Sequence, residues 1–526
     1  MINLKNYTAQ NIKNDVLSGM VVAVALVPEA IAFSFIAGVS PLVGLYAAFI
    51  IGLITSLLGG KPGMISGATG SVAVVFVGLG LAVKGMYPAL GKEELSIMIL
   101  HYILLTSIVA GFIQILVGVF KLGKFIRLVP QPALFGFVNG LAIVIALAQL
   151  KFLKPAGMED TPWSFELLKA SLTQNSEMYI IIAITMAIMH FLPKVTKAIP
   201  AGLVAIVSIT AFAYFLKVDT KTVADLADIS GGLPHFVMPD MSLFTFESFK
   251  VIFPYAVIVA LVGLIESLLT LSVLDEMSGK RGSGNQECVA LGTANITSGL
   301  FGGMAGCAMI GQSVINFTSG GLGRLSGFTA SVLLILFVVS LSAVIGTIPV
   351  AVLVGIMFMV SIGTFEFSSV SRLKYMPKAD AFVLIVVTVV TVFFDLAVAV
   401  VSGIIISALV FAWQHARVYS KTHFEDDTTK VYELDGPLFF GSVTSFNEQF
   451  DVQNDPKNII IDFKNARVMD ISGVEAIDAL TKKYKQNGKI LQLRHLSQDC
   501  KNLLKDAGPY CVFEENDPTY KVAANL

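Results

Sequence analysis

The chain has 526 residues, of which 55% are hydrophobic and only 14% charged. A soluble domain carries about 25% charged residues, so the composition excludes an ordinary water-soluble protein and points to lipid as the solvent. A formal charge of −1 gives no footing to a nucleic-acid partner.

Apolar stretches follow one another at close to the length a membrane helix needs, roughly 20 residues: 16–35, 42–58, 97–120, 132–150, 178–191, 200–216, 253–274, 287–301, 327–345, 349–362, 381–394 and 396–413. Two short segments that start at glycine-rich breaks bring the expected crossings to about 14. The first stretch contains Pro28-Glu29 and lacks a small-residue cleavage site, so it reads as a mature helix. Basic residues gather in alternate connections: Lys121, Lys124 and Arg127; Lys194 and Lys197; Lys280 and Arg281; Arg324; Arg372, Lys374 and Lys378; Arg417 and Lys421. With Lys5 and Lys13 on that same side, both termini are expected in the cytoplasm, beneath a plasma (bacterial inner) membrane. The alternation closes only if each glycine break begins a crossing.

After Trp413 the composition turns charge-rich. Residues 431–440, 457–463 and 489–496 read as strands and 475–488 as an amphipathic helix. A transmembrane domain over 1–420 and a small α/β domain over 421–526 are therefore expected. Cys288, Cys307, Cys500 and Cys511 lack metal or disulfide spacing and read as small apolar fillers. No metal or cofactor is expected.

The breaks are LLGGKPGMISGATGS (57–71) and SGLFGGMAGCAMIGQS (298–313). Gly59, Gly60 and Gly63 return as Gly302, Gly303 and Gly306, and Thr69-Gly70-Ser71 stands opposite Gln312-Ser313-Val314 at the same offset. Each break lies downstream of a mid-span acid, Glu29 or Glu266. Two inverted repeats, about 12–217 and 250–416, follow from this pattern. Glycine-rich backbone in hydrocarbon survives only where it lines a cavity or is buried in protein. A helix that begins mid-membrane offers unpaired N–H groups and about half a positive charge. Two such ends facing each other make an anion site, with Ala68, Thr69, Gly70, Gly311, Gln312 and Ser313 as candidate amide donors. The alternative is that the glycines serve close helix packing.

Ionisable residues within spans mark ion or proton paths; the alternative for Glu29 and Glu266 is a structural hydrogen bond from a protonated carboxyl. Carboxylates beside an anion repel it unless a proton or cation neutralises them, so anion and cation are expected to move together. Glu266 is the preferred coupling residue. Glu29 and Phe33, one turn further along, line the substrate cavity. Thr270, one turn beyond Glu266, either supplies an oxygen to the coupling cation or serves packing and the backbone. Asp275, Glu276 and Asp395 read as solvated caps at span ends.

PEAIAFSFIAGVSPLVGLYAAF (28–49) and GGMAGCAMIGQSVINFTSGG (302–321) resemble the SulP family of sulfate permeases and related anion transporters. The resemblance implies a polytopic α-helical membrane protein of 14 segments in two inverted seven-segment repeats. It also implies core and gate domains moving as an elevator, frequent homodimers, and transport of sulfate, bicarbonate, chloride, oxalate or dicarboxylates. It places the substrate between segments three and ten, with Glu29 and Phe33 at matching positions of the first helix. Animal relatives commonly carry an Arg where Gln312 stands, and its loss favours symport over exchange or channel flow. Sodium-coupled bicarbonate carriers have Asp at the position of Glu266, and their Thr in the tenth segment is replaced here by Met309-Ile310, so a proton is expected in place of sodium. MDISGVEAIDAL (469–480) resembles the cytoplasmic STAS domain of the family. Ser472 stands where bacterial anti-sigma antagonists are phosphorylated; its alternative is a helix N-cap.

The expectation is a proton-coupled symporter of a small inorganic anion or dicarboxylate, embedded in membrane lipid and dimeric. Alternatives are a sodium-coupled bicarbonate symporter, an uncoupled exchanger or channel, and a signalling scaffold with STAS as its output. A nucleobase permease shares the architecture, but the STAS tail and the 28–49 motif argue against it. With no metal cluster, nucleophile and base, or nucleotide loop near the membrane, an enzyme is not expected.

Overall fold

A computed structural model describes residues 8–123, 131–155, 164–196, 201–216, 245–393, 416–504 and shorter pieces between them. Lys5, Lys124, Arg127, Lys197, Asp395, Cys511 and much of the 396–413 stretch lie outside the described residues. The chain divides into two compact units, Met1–Ile404 and Ile405–Leu526.

The first unit is helical: α1 Ala9–Ala37, α2 Pro41–Leu58, α3 Gly70–Met86, α4 Lys92–Val119, α5 Gln131–Gln149, α6 Phe165–Gln174, α7 Ser176–Val195, α8 Ala201–Leu216, α9 Val223–Leu226, α10 Phe246–Ser278, α11 Gly284–Leu300, α12 Ile310–Thr318, α13 Arg324–Gly346, α14 Val350–Thr364, α15 Phe367–Arg372 and α16 Lys378–Phe393. Among the described residues seven helices are long and apolar enough to cross a membrane unaided, and three more are shorter apolar ones. Local signals set the ends. Thr8 Oγ1 accepts from the Asn11 amide at 3.2 Å and caps α1, which stops at left-handed Gly38 (φ 76°). α10 runs two turns further upstream than its apolar stretch because Thr245 caps it, and it closes at left-handed Gly279 (φ 66°).

Exchanging α1 for α10, α2 for α11, α3 for α12, α4 for α13, α5 for α14 and α7 for α16 maps the main packing contacts onto one another. α1 lies on α13 as α10 lies on α4; α2 meets α13 as α11 meets α4; α5 meets α16 as α14 meets α7. This is the twofold relation of two repeats. α1–α4 and α10–α13 interlock into one bundle, whereas α5, α7, α8, α14 and α16 pack among themselves and touch the first bundle mainly through α1–α14, α3–α5 and α1–α8. Phe191, Phe215 and Phe393 stay largely exposed, an outer surface suited to lipid.

The second unit is a five-stranded sheet in the order β3-β4-β5-β6-β7, with β3 Tyr419–Asp426, β4 Thr429–Leu438, β5 Asn458–Val468, β6 Ile490–Arg494 and β7 Val512–Phe513. β3–β4 is antiparallel and the remaining pairs are parallel. Helices α17 Val443–Asn447, α18 Ile471–Gln486 and α19 Gln498–Leu504 accompany it. α18 starts four residues before the expected helix because Asp470 caps it: Oδ1 accepts from the Gly473 amide at 3.0 Å and Oδ2 from the Phe440 amide at 2.9 Å. The N-cap alternative for Ser472 is therefore corrected, since Ser472 lies within the first turn.

Ile459, Ile461, Phe463, Ile477 and Leu493 form the apolar core of this unit, and Asp455 lies at its edge. It accepts from Lys430 Nζ at 2.7 Å, the Tyr432 hydroxyl at 2.7 Å and the Tyr484 hydroxyl at 2.5 Å. Burial first, and the adjacent Asp455 second, push the Tyr484 hydroxyl well above its ordinary range. Asp455→Ala is expected to cost about 3 kcal/mol by stranding Lys430 and two hydroxyls. The check is amide exchange over β4 and α18 in the full chain; unchanged protection there would reject the role given to Asp455.

Candidate functional site

Both breaks turn at left-handed glycines, Gly63 (φ 79°) and Gly302 (φ 77°), a conformation without penalty only for glycine. Each then contributes a two-residue strand, β1 Ser66–Gly67 and β2 Cys307–Ala308, and the two pair antiparallel with Gly67 opposite Cys307. The Met309 amide extends the ladder by donating to the Ile65 carbonyl at 2.9 Å. The ladder satisfies backbone that hydrocarbon would leave unpaired. Gly306 allows the approach, because a Cβ there would collide with the Gly67 carbonyl. Asn295 grips Gly306 from both sides, accepting from its amide at 3.0 Å and donating to its carbonyl at 3.1 Å.

α3 and α12 start directly after the strands. The first helical bond of α3 runs from the Ala73 amide to the Thr69 carbonyl (3.0 Å), and that of α12 from the Ser313 amide to the Met309 carbonyl (3.0 Å). Neither helix offers a carbonyl to the amides of Gly70, Ser71 and Val72 or of Ile310, Gly311 and Gln312. One expected donor needs correcting: the Ser313 amide is already committed, and its hydroxyl accepts from the Ile65 amide at 3.0 Å, tying the breaks together. Ala68 is buried between strand and helix. The space beside Gly70 is filled by the Phe33 ring and the Ile145 methyl, whereas a Cβ on Gly311 would meet nothing within 4 Å.

Two acids flank this crossing. Gln312 Nε2 donates to Glu29 Oε1 at 2.7 Å, linking α12 to α1. Gln312 Oε1 is buried without a partner. On the other side, the Ser71 hydroxyl and the Cys307 thiol, the latter at 3.0 Å, both reach Glu266 Oε2. Thr69 Oγ1 lies 3.2 Å from Ser71 Oγ and 3.1 Å from Cys307 Sγ. Cys307 is therefore a polar partner of the acid and no apolar filler. Thr270 Oγ1 donates to the Glu266 carbonyl at 2.8 Å, the backbone role among its alternatives. A cavity of about 350 Å³ borders Ile265, Leu269 and Ser272 of α10 and Leu134 of α5, within two turns of Glu266. A larger groove of about 690 Å³, lined by Val27, Ile206 and Phe337, is almost wholly apolar; its polar side chains are the hydroxyls of Thr210, Tyr214 and Thr347, and among the described residues no charged one lines it.

The first break carries a charged clamp. Lys61 Nζ reaches Asp275 Oδ1 at 2.7 Å and Ser278 Oγ at 2.8 Å, with side chains 7% and 18% exposed for the ion pair. Asp275 is thus half of a buried pair and no solvated cap. The Gly60 amide donates to Glu287 Oε2 at 2.7 Å, and Arg324 donates to the Ser56 and Gly59 carbonyls at 3.0 and 2.6 Å. Uncharged contacts hold the other half: the Val237 amide donates to the Leu300 carbonyl at 2.8 Å. Lys61→Met is expected to cost about 3 kcal/mol and lower the thermal midpoint in detergent, with Lys61→Met/Asp275→Leu recovering much of it. A double variant as unstable as the single one would argue against an ion-pair origin.

Residues 12–387 match the sulfate permease family, and residues 420–523 match the STAS domain. The chain belongs to the sulfate permease family. YbaR of Bacillus subtilis (strain 168) is 43% identical over 504 residues, covering 95% of this chain and 98% of YbaR. The bicarbonate transporter BicA of Picosynechococcus sp. is 29% identical over 497 residues, 89% of this chain and 86% of BicA. The solved transmembrane domain of a cyanobacterium bicarbonate transporter BicA superposes with a TM-score of 0.63 at 28% identity, over 75% of this chain and 98% of that one. The structure of SLC26A9 gives 0.79 at 19% identity, over 96% and 87%, a likeness of fold alone. As a sulfate permease family member the protein is an integral membrane anion transporter with a C-terminal STAS domain, and no enzyme.

Proposed function

We propose that the protein is a proton-coupled symporter of a small oxyanion, sulfate or bicarbonate, in the plasma membrane with both termini cytoplasmic. The anion sits between the starts of α3 and α12, on the amides of Gly70, Ser71, Ile310, Gly311 and Gln312, with Glu29 and Phe33 beside it. Glu266 takes up the proton that offsets the anion's charge. The bundle of α1–α4 and α10–α13 carries the site past α5, α7, α14 and α16 in an elevator movement. The STAS domain serves homodimer contact and regulation, with Ser472 as its phosphorylation site; a phosphate in the first turn of α18 would meet the positive end of that helix.

The observation that carries this reading is the crossing itself, where two helices begin on one shared ladder. A positive helix end favours an anion, and Gln312 adds no fixed charge, so the proton must come from an acid. The unpartnered Oε1 of Gln312 favours bicarbonate within this reading, because bicarbonate has an O–H to donate and sulfate has none. The test is uptake of labelled sulfate and labelled bicarbonate into proteoliposomes under imposed pH and sodium gradients. Accumulation driven by the pH gradient is expected. Accumulation that needs sodium would replace the proton, and flow without accumulation would replace symport by a channel.

A further inference from the structure

Four contacts close a ring at the base of α3: Glu266 Oε2 with Ser71 Oγ, Ser71 Oγ with Thr69 Oγ1, Thr69 Oγ1 with Cys307 Sγ, and Cys307 Sγ with Glu266 Oε2. Each contact needs one hydrogen. Ser71, Thr69 and Cys307 supply three between them. With Glu266 ionised, one of the four contacts has no hydrogen. With Glu266 protonated, four hydrogens meet four contacts, and every member donates once and accepts once. We infer that Ser71, Thr69 and Cys307 form the seat in which the transported proton is held on Glu266, and that this structure is the loaded form.

The inference rests on the proton-coupled reading and names the positioning residues of its coupling step. The ring also explains how anion and proton sense each other. Ser71 contributes its hydroxyl to the ring while its amide is one of the unpaired donors of α3, so a ligand that pulls on the amide pulls on the acid's partner. Among neighbouring titratable groups, Cys307 alone touches the carboxyl among the described residues. Tyr102 of α4, next to His101, is spent on Ser248 near the start of α10. Glu287 of α11 holds the Gly60 amide, and Asp275 on α10 itself pairs with Lys61. Lys84 closes the far end of α3, and α12 carries no charged residue.

Breaking the ring should hurt the protonated form more. Without the Thr69 hydroxyl the ionised form loses one hydrogen bond between neutral groups and the protonated form loses two; Cys307→Ala gives no such contrast, because the bond the ionised form loses there is charge-assisted and about twice as strong. The difference of one hydrogen bond corresponds to ~0.5–1 pH unit. The experiment follows the infrared band of the protonated carboxyl in the full chain in lipid, assigned by its disappearance in Glu266→Gln, as pH is raised. Its midpoint is expected to fall by ~0.5–1 pH unit in Thr69→Val, and to return towards the wild-type value in Thr69→Ser, which keeps the hydroxyl. A wild-type midpoint in Thr69→Val overturns the ring while leaving proton coupling in place. Wild-type uptake indifferent to an imposed pH gradient overturns coupling, and the ring with it. Should Thr69→Val fail to fold, Thr69→Ala, which removes the same hydroxyl, decides in its place.

Discussion

Glu266→Gln is expected to abolish concentrative uptake while leaving downhill exchange of labelled anion intact. The amide has the size of the carboxyl, so the packing around Ser71 and Cys307 survives, but it neither takes up nor releases a proton at accessible pH. A pH step of one unit is worth about 1.4 kcal/mol and supports about tenfold accumulation for one proton per anion. With the membrane potential clamped, the variant should equilibrate at equal concentrations on both sides where the wild type reaches that ratio. Accumulation of wild-type size by Glu266→Gln would remove the residue from coupling.

The second large effect separates two glycines only five positions apart in sequence. Gly306→Ala places a Cβ onto the Gly67 carbonyl, and neither strand has room to retreat, since Asn295 holds Gly306 by amide and carbonyl together. Loss of the folded, monodisperse protein is the expected result, read by size exclusion in detergent. Gly311→Ala meets nothing within 4 Å, and alanine in the first turn favours the helix. That variant should fold as well as the wild type, yet its methyl enters the space assigned to the anion. The half-saturating concentration of labelled sulfate is expected to rise about tenfold. Unchanged affinity in a folded Gly311→Ala would move the anion elsewhere.

The two glycine breaks, their common offset and the acid upstream of each were legible in the sequence, because glycine runs and carboxylates are conspicuous in apolar surroundings. The pairing of the breaks was not. Two-residue strands have no periodicity to read, and their ladder depends on residues more than two hundred positions apart. Cys307 illustrates the difficulty. Its thiol is unremarkable in an apolar segment, and only proximity to Glu266 gives it a role. Lys61 did carry a signal, a lone cation within a glycine break, and its partner Asp275 was hidden by a place near a helix end where solvated acids are common. The start of α18 was obscured because Asp470 and Ser472 are both good capping residues, and the choice between them depends on the Phe440 amide.

The ladder between Gly67 and Cys307 joins parts of the chain made far apart in time. At 5–20 residues per second, synthesis reaches the second strand on the order of 10–50 s after the first. Until then the amides of the first break have no strand to bind, and Lys61 lacks Asp275. The leading half must therefore wait in the bilayer incomplete, its polar backbone sheltered by water or by the insertion machinery. A nascent fragment released before Cys307 has no native way to bury that loop, which makes completion of the second half a condition for stable membrane residence of the first.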